Sequence, residues 1–476
     1  MDHNSEPCPA YIVQKLKPGK QTEQILDEVK QKPKYDQKAI EELEPGGCIE
    51  RILVSFSITS NMKHIFQLKS SSEDITAFHG IKFFGSTWLM FLHGVYFTLS
   101  VIGNKWELYR MHNSMEYQFI ANSVWSADTF LFLAGFLLAF GHFKSQRKRK
   151  KIVTVRQNAY DFLILVIKRL IRLTPPYVVT MMLGVLIFTW NNNFLMAYVV
   201  EPIPELCLKY WWRNILYIHN LFEWDSLCMT WTWQLACEMQ FSIFCAFLLK
   251  LSVSHYSSAV NLGIVTLILS MLSAGYVTYT TGHIKTLESR FETFSCIYIR
   301  PWIRIIPHIV AIGTALLLEK WNYKLHLSKK ALAAGWFISI LCAYLVIHGP
   351  AMITTSATLT IIYEMFSRLS WSLAVAWLVI VCLTNNAATI NQFLSLPYWI
   401  PPSRVVYCAY LLNPIFALLL GALSDYAVHA GIYYYATAGC AVWALSYIFA
   451  FILSAITEVP TQLLLQAFSS RRKKEV

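Results

Sequence analysis

The sequence predicts an all-α integral membrane protein, a bundle of about ten transmembrane helices with both termini cytosolic. Three observations predict it: an apolar composition, apolar runs of membrane-crossing length, and the placement of lysine and arginine. Hydrophobic residues make up 55% of the chain, aromatics 15% and charged residues only 14%. The mean hydropathy is +0.43. That is too apolar for a soluble domain of this size, and 476 residues leave room for about ten spans of roughly 20 residues each.

Residues 1–79 are polar, charged and proline-spotted, which suits a cytosolic N-terminal segment and rules out a secretory signal. Apolar runs follow near 80–102, 123–143, 173–191, 231–252, 258–279, 303–319, 331–349, 367–384, 403–424 and 432–456. The run at 303–319 is the shortest for a hydrocarbon core of about 30 Å. A transmembrane domain over 80–460 and a basic cytosolic tail over 461–476 complete the expected organisation.

Basic loops stay on the cytosolic side. "KSQRKRKKIVTVR", "EKWNYKLHLSKK", the tail "SSRRKKEV" and the lysine-rich first 79 residues all fall on one side if both termini are cytosolic. The net charge of +12 then describes a rim facing anionic lipid, and no nucleic-acid partner is needed to explain it. Eleven cysteines show no C-x-x-C spacing. Cys207 and Cys228 share a loop on the outward side, where an oxidising environment could join them, and Cys296 lies on the same side. No N-x-S/T sequon occurs in the outward loops. Zinc spacing, a P-loop and a dinucleotide fingerprint are absent, so neither a metal nor a tightly bound cofactor is expected.

Polar groups inside the spans point to function. "GIKFFGSTWLMFLHGVYF" carries Lys82 and His93, which lie on nearly the same helix face and about 16 Å apart along the axis. Lys82 marks the cytosolic edge, with His93 about halfway across. A mid-membrane imidazole needs a polar cavity or a partner, so it is either a satisfied bundle histidine or a functional group. Asp128 in "SVWSADTFLFLAGFLLAF" sits near the outward end of its span. Glu238 in "WTWQLACEMQFSIF" lies about two helical turns below the outward surface. "KRLIRLTPPY" sets Arg169 and Arg172 on one helix face, a geometry for phosphate oxygens or for snorkelling to headgroups. Arg300 and Arg304 of "YIRPWIR" stand at an outward mouth, as anchors or as contacts for an anionic acceptor. Cations at the cytosolic edge, a histidine at mid-depth and acids farther out suit an enzyme that takes a phosphate-bearing donor from the cytosol. His142, His308 and His348 read as interfacial, Trp211, Trp212, Trp224, Trp231 and Trp233 as an aromatic belt, and Tyr407 and Tyr410 as packing residues.

The order of "ERILVSFSITSN", "HGIKFFGSTWLMFLHG", "SADTFLFLAGFLLAF", "RLIRLTPPY", "WWRNILYIHNLFEWDSLCMTWTWQLACEMQF", "YIRPWIRIIPHIVAIG", "RLSWSLAVAWLVIVCLT", "IPPSRVVYCAYLLNPI" and "TEVP" resembles the acyltransferase type 3 superfamily. The likeness is to its nose-resistant-to-fluoxetine-like branch and runs over about residues 50–466. The resemblance implies a membrane enzyme of about ten helices that transfers an acyl group from acyl-CoA to a hydroxyl of a lipid, sugar or other small acceptor. It further implies that His93 is essential, that Lys82 stands where the family has arginine, that Arg169 and Arg172 hold the donor, and that Glu238 matches the glutamate after the W-x-L element.

On both lines, His93 is the expected general base. Lys82, Arg169 and Arg172 would hold phosphates, with Arg304 a further substrate contact, and Glu238 or Asp128 would orient the imidazole or bind the acceptor. Acyl-CoA, an unidentified hydroxyl acceptor and membrane lipids are the expected partners, and the endoplasmic reticulum or plasma membrane the expected location. The sequence departs from the family in several places. Lys82 lacks the guanidinium fork, and Asn413 stands where many relatives have histidine. Ala134 and Ala311 replace serine and glycine at packing positions. The branch's cysteine-rich domain and leading helix have no counterpart, as in a short member or an incomplete product. A lipid or small-molecule transporter, or a non-catalytic scaffold, is the alternative on the same fold.

Overall fold

The computed structural model describes residues 48–69, 74–115, 117–148, 154–191, 202–283, 294–353, 356–423, 426–429 and 431–474. The chain divides into two units, Met1–Ser55 and Phe56–Val476. The described part of the first is a short helix, Cys48–Ser55; the remainder of that unit lies outside the described residues. The principal helices of the second unit are α1 (Ala77–Tyr96), α2 (Trp125–Lys148), α3 (Val155–Asn191), α4 (Trp233–Ser254), α5 (Tyr256–Thr281), α6 (Ile306–Lys320), α7 (Lys329–Met352), α8 (Ala357–Leu383), α9 (Val406–Ala422), α10 (Ile432–Leu453) and α11 (Val459–Lys474). Among the described residues there is no strand, and a single β-bridge joins Ile102 to Val428.

The protein is an all-α, multi-pass membrane protein. Among the described residues eight helices are long and apolar enough to cross a bilayer, and a ninth joins them if the bent pair Pro397–Arg404 and Val406–Ala422, angled by 60°, is one span. These nine correspond to nine of the ten apolar runs. The tenth, α1, has 20 residues and therefore about 30 Å of length, but it is not among them. Its polar side chains explain the difference. The helix packs against α2, α9 and α10 inside the bundle, and Ser86 is buried with its hydroxyl 2.8 Å from that of Tyr447. A helix surrounded by protein does not need an apolar surface.

Hydrogen bonds sort the loops into two ends. At one end Arg147 meets Glu319 at 2.5 Å, and the Asn386 amide donates to the Leu325 carbonyl at 2.6 Å. Arg404 donates there to the carbonyls of His64, Ile65, Gln67 and Lys69. Described parts of two basic segments, around Arg147 and around Glu319, meet at this end. The helix Ile58–Phe66, inside the expected polar segment 1–79, packs here, with Ile65 buried and Asn61 donating to the Ala455 carbonyl at 2.9 Å. At the other end Asn122 donates to the Ile347 carbonyl and the Gly103 amide to the Val428 carbonyl.

Small residues set the closest crossings. Ala139, Ala311 and Ala315 let α2 and α6 approach, with Phe132, Phe136 and Leu318 filling the space around them. Gly80 sits so close to the chain at Leu394 that a Cβ would fall 2.6 Å from its carbonyl oxygen. Backbone cannot rotate away as a side chain can. Gly80→Ala is therefore expected to cost about 1–3 kcal/mol, read as a lower melting temperature in detergent.

The opposite end is capped by the segment from Ile203 to Thr232, in which Cys207 and Cys228, the pair that the sequence left open, form a disulfide, while Cys296 is free. Asn214 ties this cap to α3 by donating to the Tyr177 hydroxyl at 2.6 Å and the Cys228 carbonyl at 2.8 Å. The Tyr177 hydroxyl in turn donates to Thr232 at 2.8 Å. Replacing both cysteines with serine should lower stability by about 2–5 kcal/mol. The same loss should appear in wild type under reductant, and its absence in both would show that the cap is held by the Asn214 network alone.

Candidate functional site

A cavity of about 350 Å³ opens among α1, α2, α3, α4 and α9. One wall is charged: Lys82 from α1, Arg169 and Arg172 from α3, Glu238 from α4, Arg404, and Glu458. The other is apolar, with Phe130, Leu133, Ala134, Leu137 and Leu138 spaced to form one stripe of α2. Ala134, expected only to affect packing, is on this wall.

Local chemistry places the cations. α3 continues through Pro175 and Pro176, which cannot donate to the carbonyls of Ile171 and Arg172. The next carbonyl, that of Leu173, accepts from the Tyr407 hydroxyl at 2.7 Å. Arg169 Nη2 meets Glu238 Oε1 at 2.5 Å, and Arg172 Nη2 meets Glu458 Oε1 at 3.4 Å. The Arg172 side chain remains 57% exposed while that of Glu458 is 3% exposed. Arg169 Nε is buried and has no acceptor among the described residues. Four cations thus face two carboxylates, which leaves the cavity electropositive where low dielectric strengthens attraction for an anion.

The Arg169–Glu238 contact alters the expected order of depth. Arg169 was placed at the edge and Glu238 towards the opposite surface, yet the two are at one level. The helix lengths account for this: α3 starts at Val155, so Arg169 is about 21 Å along it, and Glu238 is about 24 Å from the Ser254 end of the oppositely running α4.

His93 is one turn beyond Leu89 and Met90, which line the cavity, and is not itself on the lining. Its ring lies inside the bundle, 6.2 Å from that of Tyr410, a cavity residue, and 5.6 Å from that of Phe97. Nδ1 is 3.1 Å from Asn413 Oδ1. The Asn413 amide nitrogen donates to Ser446 Oγ at 3.2 Å, and Ser446 donates to the Val442 carbonyl at 2.5 Å. An amide oxygen only accepts, so with the Asn413 oxygen turned to the ring the neutral imidazole that makes this contact is the tautomer with its proton on Nδ1 and a lone pair on Nε2.

Asp128 and Arg304 are not brought to the cavity. They pair with each other at 2.6 Å with side chains 0% and 3% exposed. Arg304 Nε also donates to the Tyr298 carbonyl at 2.7 Å, and its guanidinium lies over the rings of Tyr298 and Trp233. A second buried pair, Glu364–Arg368 at 3.0 Å, is within electrostatic reach of Asp128. Arg300 pairs with Glu223 at 3.6 Å.

Other readings change as well. His308 is fully buried against Phe241 at 5.4 Å rather than interfacial, because the first turn of α6 lies inside the bundle. Trp231 and Trp233 are likewise core residues, while Trp211 and Trp212 are exposed as a belt requires. Glu458, Tyr407 and Tyr410 were missed as site residues. Glu458 carried a signal, a lone carboxylate in an apolar run before Pro460; a π-helical turn over Ser454–Glu458 re-aims it at the cavity. The tyrosines carried none, since the hydroxyl of Tyr410, which donates to the Trp231 carbonyl, is invisible to pattern.

A family profile described as an acyltransferase domain matches residues 75–459, a span that holds every residue of the charged wall together with His93 and Asn413. Nose resistant to fluoxetine protein 6 of Caenorhabditis elegans is 28% identical over 394 residues, covering 77% of this chain and 48% of that protein. The chain therefore spans about half the length of this curated relative. No solved structure matches.

Proposed function

Since the chain belongs to the acyltransferase family, we propose that it transfers an acyl group from cytosolic acyl-CoA to a hydroxyl of a lipid, sugar or other small acceptor. One observation carries this reading: Lys82, Arg169 and Arg172 line a single cavity with an apolar wall, and Tyr410 links that cavity to the ring of His93. The cations would take the phosphates of coenzyme A, with the Arg169 Nε donor directed to an oxygen, and the apolar stripe of α2 would take the acyl chain. His93 Nε2 would withdraw the acceptor hydroxyl proton as that oxygen attacks the thioester carbonyl. The C–S bond then breaks, and the departing thiolate takes the proton back from the imidazolium.

Asn413 fits this scheme without shuttling protons. As the residue that accepts from Nδ1, it orients the imidazole in the manner of the asparagine in cysteine-protease triads. On this reading the end that holds the Cys207–Cys228 disulfide would face an oxidising compartment and the basic end the cytosol, in the endoplasmic reticulum or the plasma membrane.

Binding of labelled acyl-CoA to purified protein tests the donor site. Arg172→Ala and Lys82→Gln should each weaken it roughly tenfold, as loss of a charge-assisted hydrogen bond implies, with a smaller effect on kcat. Undiminished affinity in the double variant would remove the cationic wall from donor binding.

A further inference from the structure

A second concavity, about 490 Å³, lies between α2, α4, α5 and α6, across α2 from the candidate site. Its sides are apolar, including Val260, Ile264, Leu267, Ile309 and Leu316. Gly263 and Gly313 line it with no atom within 4 Å of where a Cβ would stand. Unlike Gly80, they serve no close helix contact; they widen the groove. Along α5 the lining runs from Tyr256 to Leu267, about 16 Å, which is roughly half of a 30 Å hydrocarbon core. The groove has the depth of one leaflet.

Its mouth is at the basic end. His142, Gln146, Ser252 and Tyr256 form the rim, and Lys320 Nζ is 5.6 Å from the Tyr256 ring centroid. Lys320 is thus the described cation beside the rim, since the neighbouring Arg147 is engaged by Glu319. An apolar slot one leaflet deep beneath a cationic, hydrogen-bonding rim matches one amphiphile in both parts. We propose that this groove is a binding site for an anionic membrane phospholipid, with an acyl chain between α5 and α6 and the phosphate at the Gln146, Tyr256 and Lys320 rim.

Native mass spectrometry of the full chain tests this, after delipidation and exposure to mixed micelles of phosphatidylglycerol or phosphatidylcholine. Wild type should retain phosphatidylglycerol roughly fivefold better, as attraction of about 1 kcal/mol to the Lys320 cation implies. Gly263→Leu with Gly313→Leu should abolish retention while keeping the wild-type melting temperature, because the leucines enter open space. Lys320→Gln should keep lipid binding but lose the headgroup preference, which preserves the test if the first variant fails to fold. Equal retention of both lipids by wild type, an undiminished adduct in the filled variant, or an unchanged preference in the charge variant would each overturn the assignment.

Discussion

Replacing His93 with alanine is expected to lower acyl transfer by about 10²–10⁴-fold, the usual contribution of a positioned general base, while the protein remains folded. Among the described residues the ring makes one hydrogen bond, to Asn413. Its loss leaves the buried Asn413 oxygen short of a partner at a cost of about 1–3 kcal/mol, which a domain with about 5–15 kcal/mol of stability survives. Initial rates, together with size-exclusion and melting profiles in detergent, separate the two effects. Asn413→Ala should fall between wild type and His93→Ala in rate and should alter the pH profile, because the freed imidazole no longer presents Nε2 in one orientation. If His93→Ala turns over at the wild-type rate, the imidazole is not the base.

Arg304→Ala should be among the most destabilising single changes in the protein, by about 3–5 kcal/mol. Asp128 would be left fully buried without its ion-pair and hydrogen-bond partner. Asp128→Leu combined with Arg304→Met removes both charges and should recover much of the loss, since a buried ion pair contributes little net stability over apolar residues of similar volume. Yield of monodisperse protein and melting temperature read this directly. The contrary result, lost activity at an unchanged melting temperature, would make Arg304 a substrate contact, as its position in the sequence first suggested.

The contrast between these two sites shows what a sequence exposes in a membrane protein. Apolar runs were legible because the bilayer fixes their length. Lys82, His93, Arg169, Arg172 and Glu238 were legible because intramembrane polar groups are rare. Their partners were not. Position along a helix says nothing about which neighbour a side chain meets, so Asp128 and Arg304 read as separate site residues although they neutralise each other. Depth was misjudged where helix ends did not coincide with the membrane surface. α3 begins 18 residues before its expected span, which brought Arg169 to the level of Glu238. The outward cap buries Trp231 and Trp233. Glu458 depended on a π-turn that no periodicity announces. The same limit explains α1, whose polar face is tolerated only because other helices surround it.

The central claim is that the cationic cavity and His93 form one reaction site. Reconstituted protein supplied with labelled acetyl-CoA and long-chain acyl-CoA, together with a lipid and sugar extract, addresses it most directly. The expected result is label in a new ester, dependent on His93 and weakened by Arg172→Ala. Label that crosses the bilayer unaltered, or an ester formed equally well without His93, would contradict it.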